Sequence, residues 1–306
     1  MKIVIASDSF KGSLSSTEVA MAATRGIKTV YPDCEVVAVN VADGGEGTVD
    51  AIVEALHGEI IATTVSDPLG RPIQARYGIA GATAIIEMAA ASGLPLLRPE
   101  ERNPWLTSTH GTGEMIMDAI RRGCRQFLVG IGGSATNDAG TGMLQAMGFR
   151  FYDANDNEIP HCSGGTMQDI VRIDDSHVPD SVRQSTFTIA CDVDTPFCGP
   201  EGAAPVFAPQ KGADTAMVQQ LDAGMASLAK VIEDKYRINI VPIAGAGAAG
   251  GMGGAFRAYM PPSNEALTWC SMLLILTQSS KTPTLLSRAK ARLIFRQPKA
   301  RLPQAF

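Results

Sequence analysis

The sequence predicts an α/β fold built on parallel strands. Two short apolar segments, Lys2–Ala6 and Glu35–Val41, are each followed by a polar loop and a helical pattern, and successive units of this kind favour parallel pairing with right-handed crossovers. A third unit surrounds the stretch GIGGSATNDAGTGM, residues 130–143, where an apolar segment turns into a helix. The 306 residues, 45% of them hydrophobic, suffice for one large or two ordinary domains.

Composition narrows the classes of function. The net charge of -5 argues against a nucleic-acid or membrane-surface binder, because those partners attract a basic face. The six cysteines form no CxxC pair, which is typical of reduced thiols rather than of a zinc site or disulfide framework. The first ten residues hold too short an apolar run for a signal peptide, and no stretch reaches the roughly 18 apolar residues of a membrane span. We therefore expect a cytoplasmic protein that acts on a small molecule.

The loop of the first strand–loop–helix unit carries candidate functional groups. Strand Lys2–Ala6 precedes a helix predicted from Ser16 to Thr29, and the loop between them carries Asp8 and Lys11. Ligands of open α/β sheets bind at the carboxyl ends of strands, and the Lys11 ammonium suits a phosphate or a carboxylate. A solvated turn with a serine cap is the alternative interpretation.

The second unit repeats this arrangement and then the pattern changes. Its loop contains Asp43 among glycines, before a helix predicted from Val49 to Leu56. Between residues 59 and 86, three short β-rich runs separated by turn residues predict a meander, and therefore either a change of domain or an excursion from the sheet. Glu87 supplies a carboxylate at the end of the third run.

The stretch 130–143 has the features of an anion-binding turn. Gly132 and Gly133 permit a close backbone approach to a ligand, and the N–H groups at the start of the following helix favour negative charge. Ser134, Asn137 and Asp138 add polar groups to the same turn. The stretch is neither a Walker A loop nor a GxGxxG fingerprint, so a capped strand-to-helix turn without a ligand is the alternative.

Three later segments extend the set. Asp192 and Asp194 follow a strand predicted from Ser185 to Ala190 and would face one ligand or metal if the strand continued, although a pair on the surface is equally compatible. Lys211 stands beside a glycine in a predicted loop over residues 205–212, before a helix from Thr215 to Tyr236. The small residues of 244–254, which include Gly250 and Gly251, predict a ligand-side loop rather than a linker.

Together these loops indicate phosphoryl transfer. At least four glycine-rich loops are accompanied by Lys, Asp, Ser or Thr, which supply donors and positive charge for a polyanion and carboxylates for magnesium or a hydroxyl proton. The sequence contains no HExxH or GxSxG motif that would favour another chemistry.

Seven motifs carry a specific resemblance over residues 1–259. They are DSFKGSLSSTEVA, VADGGEGTVDAIVEA, IEMAAASGLPL, GTGE, VGIGGSATNDAGTGM, ACDVDTPFCGPEGAAPVFAPQKGA and AGAGAAGGMGGA. In this order they resemble the type 1 glycerate kinases, the bacterial glycerate 2-kinases. The resemblance implies transfer of the ATP γ-phosphate to the 2-hydroxyl of D-glycerate with Mg²⁺. It also implies a Rossmann-like parallel-sheet domain, beginning with residues 1–65, and a second α/β domain over residues 66–259. Ser7, Ala139 and Ala208 depart from the family pattern, which usually has Pro, Gly and Gly there.

The site residues are assigned from their chemistry. Asp192 is the candidate base or Mg²⁺ ligand, Asp43 is the alternative carboxylate, and Lys11 or Lys211 is expected to hold the glycerate carboxylate. Asp8 and Glu87 are further substrate-side candidates. The nucleotide-binding candidates are Gly132, Gly133, Ser134, Asn137, Asp138, Gly250 and Gly251. The alternatives are a kinase of another small hydroxy acid and an inactive or unstable remnant of the glycerate kinase.

The tail over residues 260–306 is the largest departure from the family. Residues 277–306 contain seven Lys or Arg and no Asp or Glu. The family continues here with a motif close to TGEGRxDxQTxxGKxP. Back-translated with suitable synonymous codons and read one nucleotide earlier, residues 287–294 can give ITGEGALD and residues 296–303 can give QTAEGKAP. We therefore expect an out-of-frame tail, a Rossmann-like domain truncated in its C-terminal part, and low or no kinase activity.

Overall fold

A computed structural model describes residues 2–7, 16–40, 48–191, 193–260 and 286–289. The chain forms two compact units, residues 1–43 with 272–306 and residues 44–271. The sequence placed the boundary after residue 65 instead. The difference arises because the helix Thr48–Ala55 and the strand Glu59–Ser66 pack and pair with strands of the second unit.

The first unit has a parallel sheet in its described part. Strands β1 (Lys2–Ser7) and β2 (Glu35–Asn40) pair in parallel, and helix α1 (Ser16–Val30) lies between them in the chain, as the repeated strand–loop–helix pattern predicts. Ile3 and Ile5 of β1 are buried. The last strand among the described residues, β10 (Leu286–Ala289), pairs in parallel with the other side of β1.

The second unit contains the remaining elements. Its strands are β3 (Glu59–Ser66), β4 (Pro72–Ala80), β5 (Thr83–Glu87), β6 (Gln126–Gly130), β7 (Arg150–Tyr152), β8 (Arg172–Asp174) and β9 (Thr186–Ala190). Its helices are α2 (Thr48–Ala55), α3 (Ala89–Ser92), α4 (His110–Arg121), α5 (Thr141–Ala146), α6 (Asp180–Arg183), α7 (Ala203–Phe207), α8 (Thr215–Tyr236) and α9 (Met252–Tyr259).

A five-stranded mixed sheet in the order β3-β4-β5-β6-β9 organises this unit. The antiparallel β3, β4 and β5 form the predicted meander, and β5, β6 and β9 are parallel. Phe127 of β6 stacks on Phe187 of β9 with ring centroids 4.8 Å apart, within one large core. The sheet therefore brings the carboxyl ends of three strands to one edge.

Two predicted loops contain helices. Helix α7 and a 3₁₀ turn, Pro209–Lys211, occupy most of the segment expected to be a loop over residues 205–212. Within the small-residue run 244–254, α9 begins at Met252. Its glycines allow close packing, since a Cβ on Gly253 would lie 2.3 Å from the Gly245 carbonyl oxygen and one on Gly254 would lie 2.7 Å from the Phe197 ring. Small residues here serve helix packing as well as a loop.

Two expectations drawn from composition can be compared with the described residues. No disulfide joins any two of the five described cysteines. The described part of the chain has no helix with the length and apolar character needed to span a bilayer.

Candidate functional site

The candidate site lies at the carboxyl edge of the parallel strands. In the sheet register Glu87 of β5 is opposite Gly130 of β6, and Gly130 is opposite Ala190 of β9. The backbone N–H of Val49 donates to Oε1 of Glu87 at 2.8 Å, so this carboxylate faces the first turn of α2. Helix N-termini attract anions, so the position of the Glu87 carboxylate is explained by its contact with the start of α2.

Four of the predicted site residues cannot be placed. Asp8, Lys11, Asp43 and Asp192 lie outside the described residues. The strand that precedes Asp192 ends at Ala190, and the side chain of Asp194 is exposed. Strand β9 thus ends before Asp194, and the prediction that Asp192 and Asp194 share a face stays a prediction.

The loop after β6 is held in place from one side. The N–H of Leu94 donates to the Gly133 carbonyl oxygen, and the N–H of Ala135 donates to the Ser92 carbonyl oxygen, both at 2.9 Å. Gly133 has φ +74°, and a Cβ there would meet only the Ala89 Cβ, at 3.6 Å. Glycine is thus required for the backbone conformation, and ample space remains beside it.

The carboxylate of Asp138 is completely buried and accepts several hydrogen bonds inside the protein. The N–H of Gly140 donates to Oδ1 and the N–H of Gly142 to Oδ2, each at 3.2 Å, and Thr109 donates twice more. Burial raises the pKa of Asp138, whereas these hydrogen bonds lower it. Its contacts connect the starts of α4 and α5.

Two buried polar atoms of the same loop have no hydrogen-bond partner among the described residues. They are Oγ1 of Thr136 and Oδ1 of Asn137, and both side chains are completely buried. The Asn137 amide nitrogen contacts the Met225 sulfur at 3.3 Å. Because an unpaired buried polar group is costly, these two atoms are candidates for contacts to a bound ligand.

The second glycine-rich segment packs directly against this loop. The N–H of Ala139 donates to the Gly250 carbonyl oxygen at 2.9 Å. Gly250 has φ +65°, and a Cβ there would lie 2.2 Å from the Thr136 carbonyl oxygen. A Cβ on Gly251, at φ +95°, would lie 2.9 Å from the Ala139 Cα. The structure therefore joins two segments that are more than a hundred residues apart in sequence.

Lys211 lies beneath the loop rather than in solvent. Its side chain is 1% exposed, and its Nζ donates to the Ser134 Oγ at 2.7 Å and to the Thr136 carbonyl oxygen at 2.5 Å. Burial lowers the pKa of Lys211 to about 7, against a smaller opposite effect of the Asp138 charge.

The structure brings together most of the predicted nucleotide-side residues that it describes, and it adds others. Ser134, Asn137, Asp138, Gly250 and Lys211 belong to one connected cluster. Thr136 stands in the turn that the sequence singled out, whereas Thr109 was not assigned to the site. The residue before α4 is Thr109, whereas Thr112 is inside the helix, 2.7 Å from the Ser92 hydroxyl. The dense run of Thr and Ser at 107–112 was the available signal.

Comparison with known proteins identifies the family. A family model described as the glycerate kinase family matches residues 3–269. Glycerate 2-kinase from Escherichia coli K12 is 47% identical over 262 residues, which cover 85% of this chain and 68% of that protein. Glycerate kinase from Haemophilus influenzae is 50% identical over 256 residues, covering 83% and 68%.

A solved structure agrees with these relatives. The crystal structure of a protein from Salmonella typhimurium LT2, assigned provisionally as glycerate kinase 2, has a TM-score of 0.82 and 42% identity. It matches 94% of this chain and 78% of its own chain. The α/β fold and the enzyme class predicted from the motifs are thereby confirmed. The chain belongs to the glycerate kinase family.

Proposed function

We propose that the chain transfers the γ-phosphate of ATP to the 2-hydroxyl of D-glycerate, giving 2-phosphoglycerate, with Mg²⁺ as cofactor. The observation that carries the proposal is the loop of residues 132–138, which follows a parallel strand, opens α5 and has a buried ammonium beneath it. Backbone N–H groups of the loop and the positive charge of Lys211 together favour a phosphate group.

The described residues fit the nucleotide phosphates. Thr136 Oγ1 and Asn137 Oδ1 have no partner among the described residues, so the hydroxyl can donate to a ligand and the amide oxygen can accept from its bound water. Gly133 leaves open space beside the backbone among the described residues. We assign the phosphates to Gly132, Gly133 and Ser134, and we assign to Gly250 and Gly251 the close packing that fixes the loop.

The magnesium and substrate assignments rest on residue chemistry. The described residues contain no group of three His, Cys, Asp or Glu side chains able to hold a metal ion. Asp192, two residues after β9, is the proposed base or Mg²⁺ ligand, with Asp43 as the alternative. Bound Mg²⁺ would neutralise charge that develops on the transferred phosphoryl group. Lys211 donates to Ser134 and Thr136 of the loop. We therefore assign the glycerate carboxylate to Lys11, three residues after Asp8 in the sequence.

The test is a phosphorylation assay with product identification. Purified chain is incubated with ATP, Mg²⁺ and D-glycerate, and phosphorus NMR distinguishes the 2-phosphate from the 3-phosphate. L-Glycerate and other small hydroxy acids serve as matched substrates. Turnover of D-glycerate to the 2-phosphate supports the proposal, whereas turnover only of another hydroxy acid contradicts it. The E. coli relative, run in parallel, controls for assay conditions.

A further inference from the structure

Lys211 is a buried cation with neutral partners. Its Nζ contacts the Ser134 hydroxyl oxygen and the Thr136 carbonyl oxygen, and no described carboxylate lies within ion-pairing distance of it. Burying an ammonium without a paired carboxylate is unfavourable, so such a group is more often retained for function than for stability. The position of Lys211 beneath a candidate phosphate loop suggests what that function is.

The contacts define how the cation acts on the loop. An ammonium has only donors, so the Ser134 Oγ must accept from Lys211, and the hydroxyl proton of Ser134 is then directed elsewhere. The Thr136 carbonyl oxygen is turned toward Lys211 and is enclosed by Gly250 on another side. Both contacts leave donors rather than acceptors for a ligand at the loop.

We propose that Lys211 is a positioning residue for phosphate binding: its ammonium orients the Ser134 hydroxyl as a donor and adds positive charge beneath the loop. This inference rests on the proposed function, since it takes a nucleotide phosphate as the ligand of residues 132–134. Asp138 is the ionisable group of the loop that acts on Lys211. The neighbouring segments 203–207 and 248–251 contain no ionisable side chain.

The experiment measures binding rather than turnover. Dissociation constants for ATP and for inorganic tripolyphosphate are determined by calorimetry for the unmodified chain, Lys211→Met, Ser134→Ala and the double variant. The exposed Lys230→Met on α8 is the matched control. Thermal midpoints are measured for all five proteins, so that a loss of folding is separated from a loss of binding.

We expect Lys211→Met to remain folded and to bind both probes about tenfold more weakly, the effect of one lost charge-assisted contact. Ser134→Ala should lose several-fold, and the double variant should be no weaker than Lys211→Met, because Lys211 acts through Ser134. The affinity of the unmodified chain should fall between pH 6 and 9 relative to that of Lys211→Met. Lys230→Met should change nothing.

Different results overturn different statements. Unchanged tripolyphosphate affinity in folded Lys211→Met, or fully additive losses in the double variant, would contradict the positioning role and leave the proposed function intact. If Lys211→Met weakens tripolyphosphate binding as expected but the unmodified chain phosphorylates another hydroxy acid and not D-glycerate, the proposed function alone is contradicted. An unmodified chain that binds neither probe contradicts both.

Discussion

Oδ2 of Asp138 accepts hydrogen bonds from both the backbone N–H and the hydroxyl of Thr109, at 2.8 and 2.7 Å. The same hydroxyl accepts from the N–H of Met143 at 2.9 Å. Asp138 and Thr109 are both completely buried, so this pair fixes the start of α4 against that of α5 beneath the candidate site.

Replacing the Asp138 carboxylate should therefore destabilise the protein. In Asp138→Asn one acceptor oxygen is lost and amide N–H groups face existing donors, so we expect the free energy of unfolding to fall by about 3 kcal/mol. Urea denaturation measures the change. The exposed Asp234→Asn on α8 is the control and should fall within about 0.5 kcal/mol of the unmodified chain. A loss as small as the control's would show that the buried contacts contribute little.

A second prediction concerns two alanines at positions where the family usually has glycine. Ala139 has φ +52°, a left-handed conformation that costs a non-glycine residue about 1–2 kcal/mol, whereas Ala208 has an ordinary helical φ of -67°. Ala139→Gly should thus be neutral or stabilising, and Ala208→Gly should cost about 1 kcal/mol. Thermal unfolding of the two variants side by side checks the difference. Equal losses would refute the role of backbone strain.

Stability should depend on pH through Lys211. The pKa of this lysine is lowered from 10.5 to about 7 in the folded protein by burial. Between these values the unfolded chain binds the proton and the folded chain does not, so the free energy of unfolding rises with pH. The slope is at most about 1.4 kcal/mol per pH unit.

The measurement compares denaturation of the unmodified chain with Lys211→Met at pH 6, 7.5 and 9. The difference between the two proteins should grow in favour of the unmodified chain as pH rises from 7.5 to 9. Parallel stability curves over this range would mean that the pKa of Lys211 is not lowered.

The sequence predicted the regular elements well because their signals are local. Helix α8 has the predicted bounds, Thr215–Tyr236, and its start is marked by Asp214, whose carboxylate accepts from the N–H of Met217 at 2.8 Å. Strand β6 and the meander β3-β4-β5 were also predicted. α9 was missed because a run of glycine and alanine carries no amphipathic pattern, and its helix depends on close tertiary packing.

The sequence predicted which residues belong to the candidate site better than it predicted what each of them does there. Its glycines and polar residues could be named from local turn chemistry, but a buried position for Lys211 could not, since burial of a lysine depends on what the rest of the chain places around it. The link between Gly250 and the loop of residues 132–138 is similarly a product of tertiary packing.

Asp192→Asn tests the proposed carboxylate. The amide can neither take the hydroxyl proton nor bind Mg²⁺ as a carboxylate does, so we expect a loss of phosphoryl transfer of about 10²-fold or more with the thermal midpoint unchanged. Steady-state kinetics with D-glycerate measure the loss, and the corresponding aspartate of the E. coli relative provides the test if this chain is inactive. Near-normal turnover would move the role to Asp43.

The last prediction concerns the reading frame of the tail. The family-model match ends at residue 269, and the family-like reading one nucleotide earlier covers residues 287–303, so we propose a frame change in the codons between residues 269 and 287. The alternative reading over residues 287–303 restores a motif close to TGEGRxDxQTxxGKxP. The first two positions of most of these codons are fixed by the protein sequence, which makes a chance match of this length improbable.

Sequencing the coding DNA tests the proposal directly. Restoring the frame by inserting one nucleotide upstream of codon 287 tests its consequence. The restored protein should phosphorylate D-glycerate at least about tenfold faster than residues 1–306, because the residues that replace the basic tail return carboxylates suited to Mg²⁺ and glycines whose backbone suits a phosphate. A synonymous single-nucleotide change in the same codons is the control. Coding DNA with no family-like reading in that frame would refute the proposal, as would full activity of the present chain, since an out-of-frame segment could not supply the chemistry that the family motif implies.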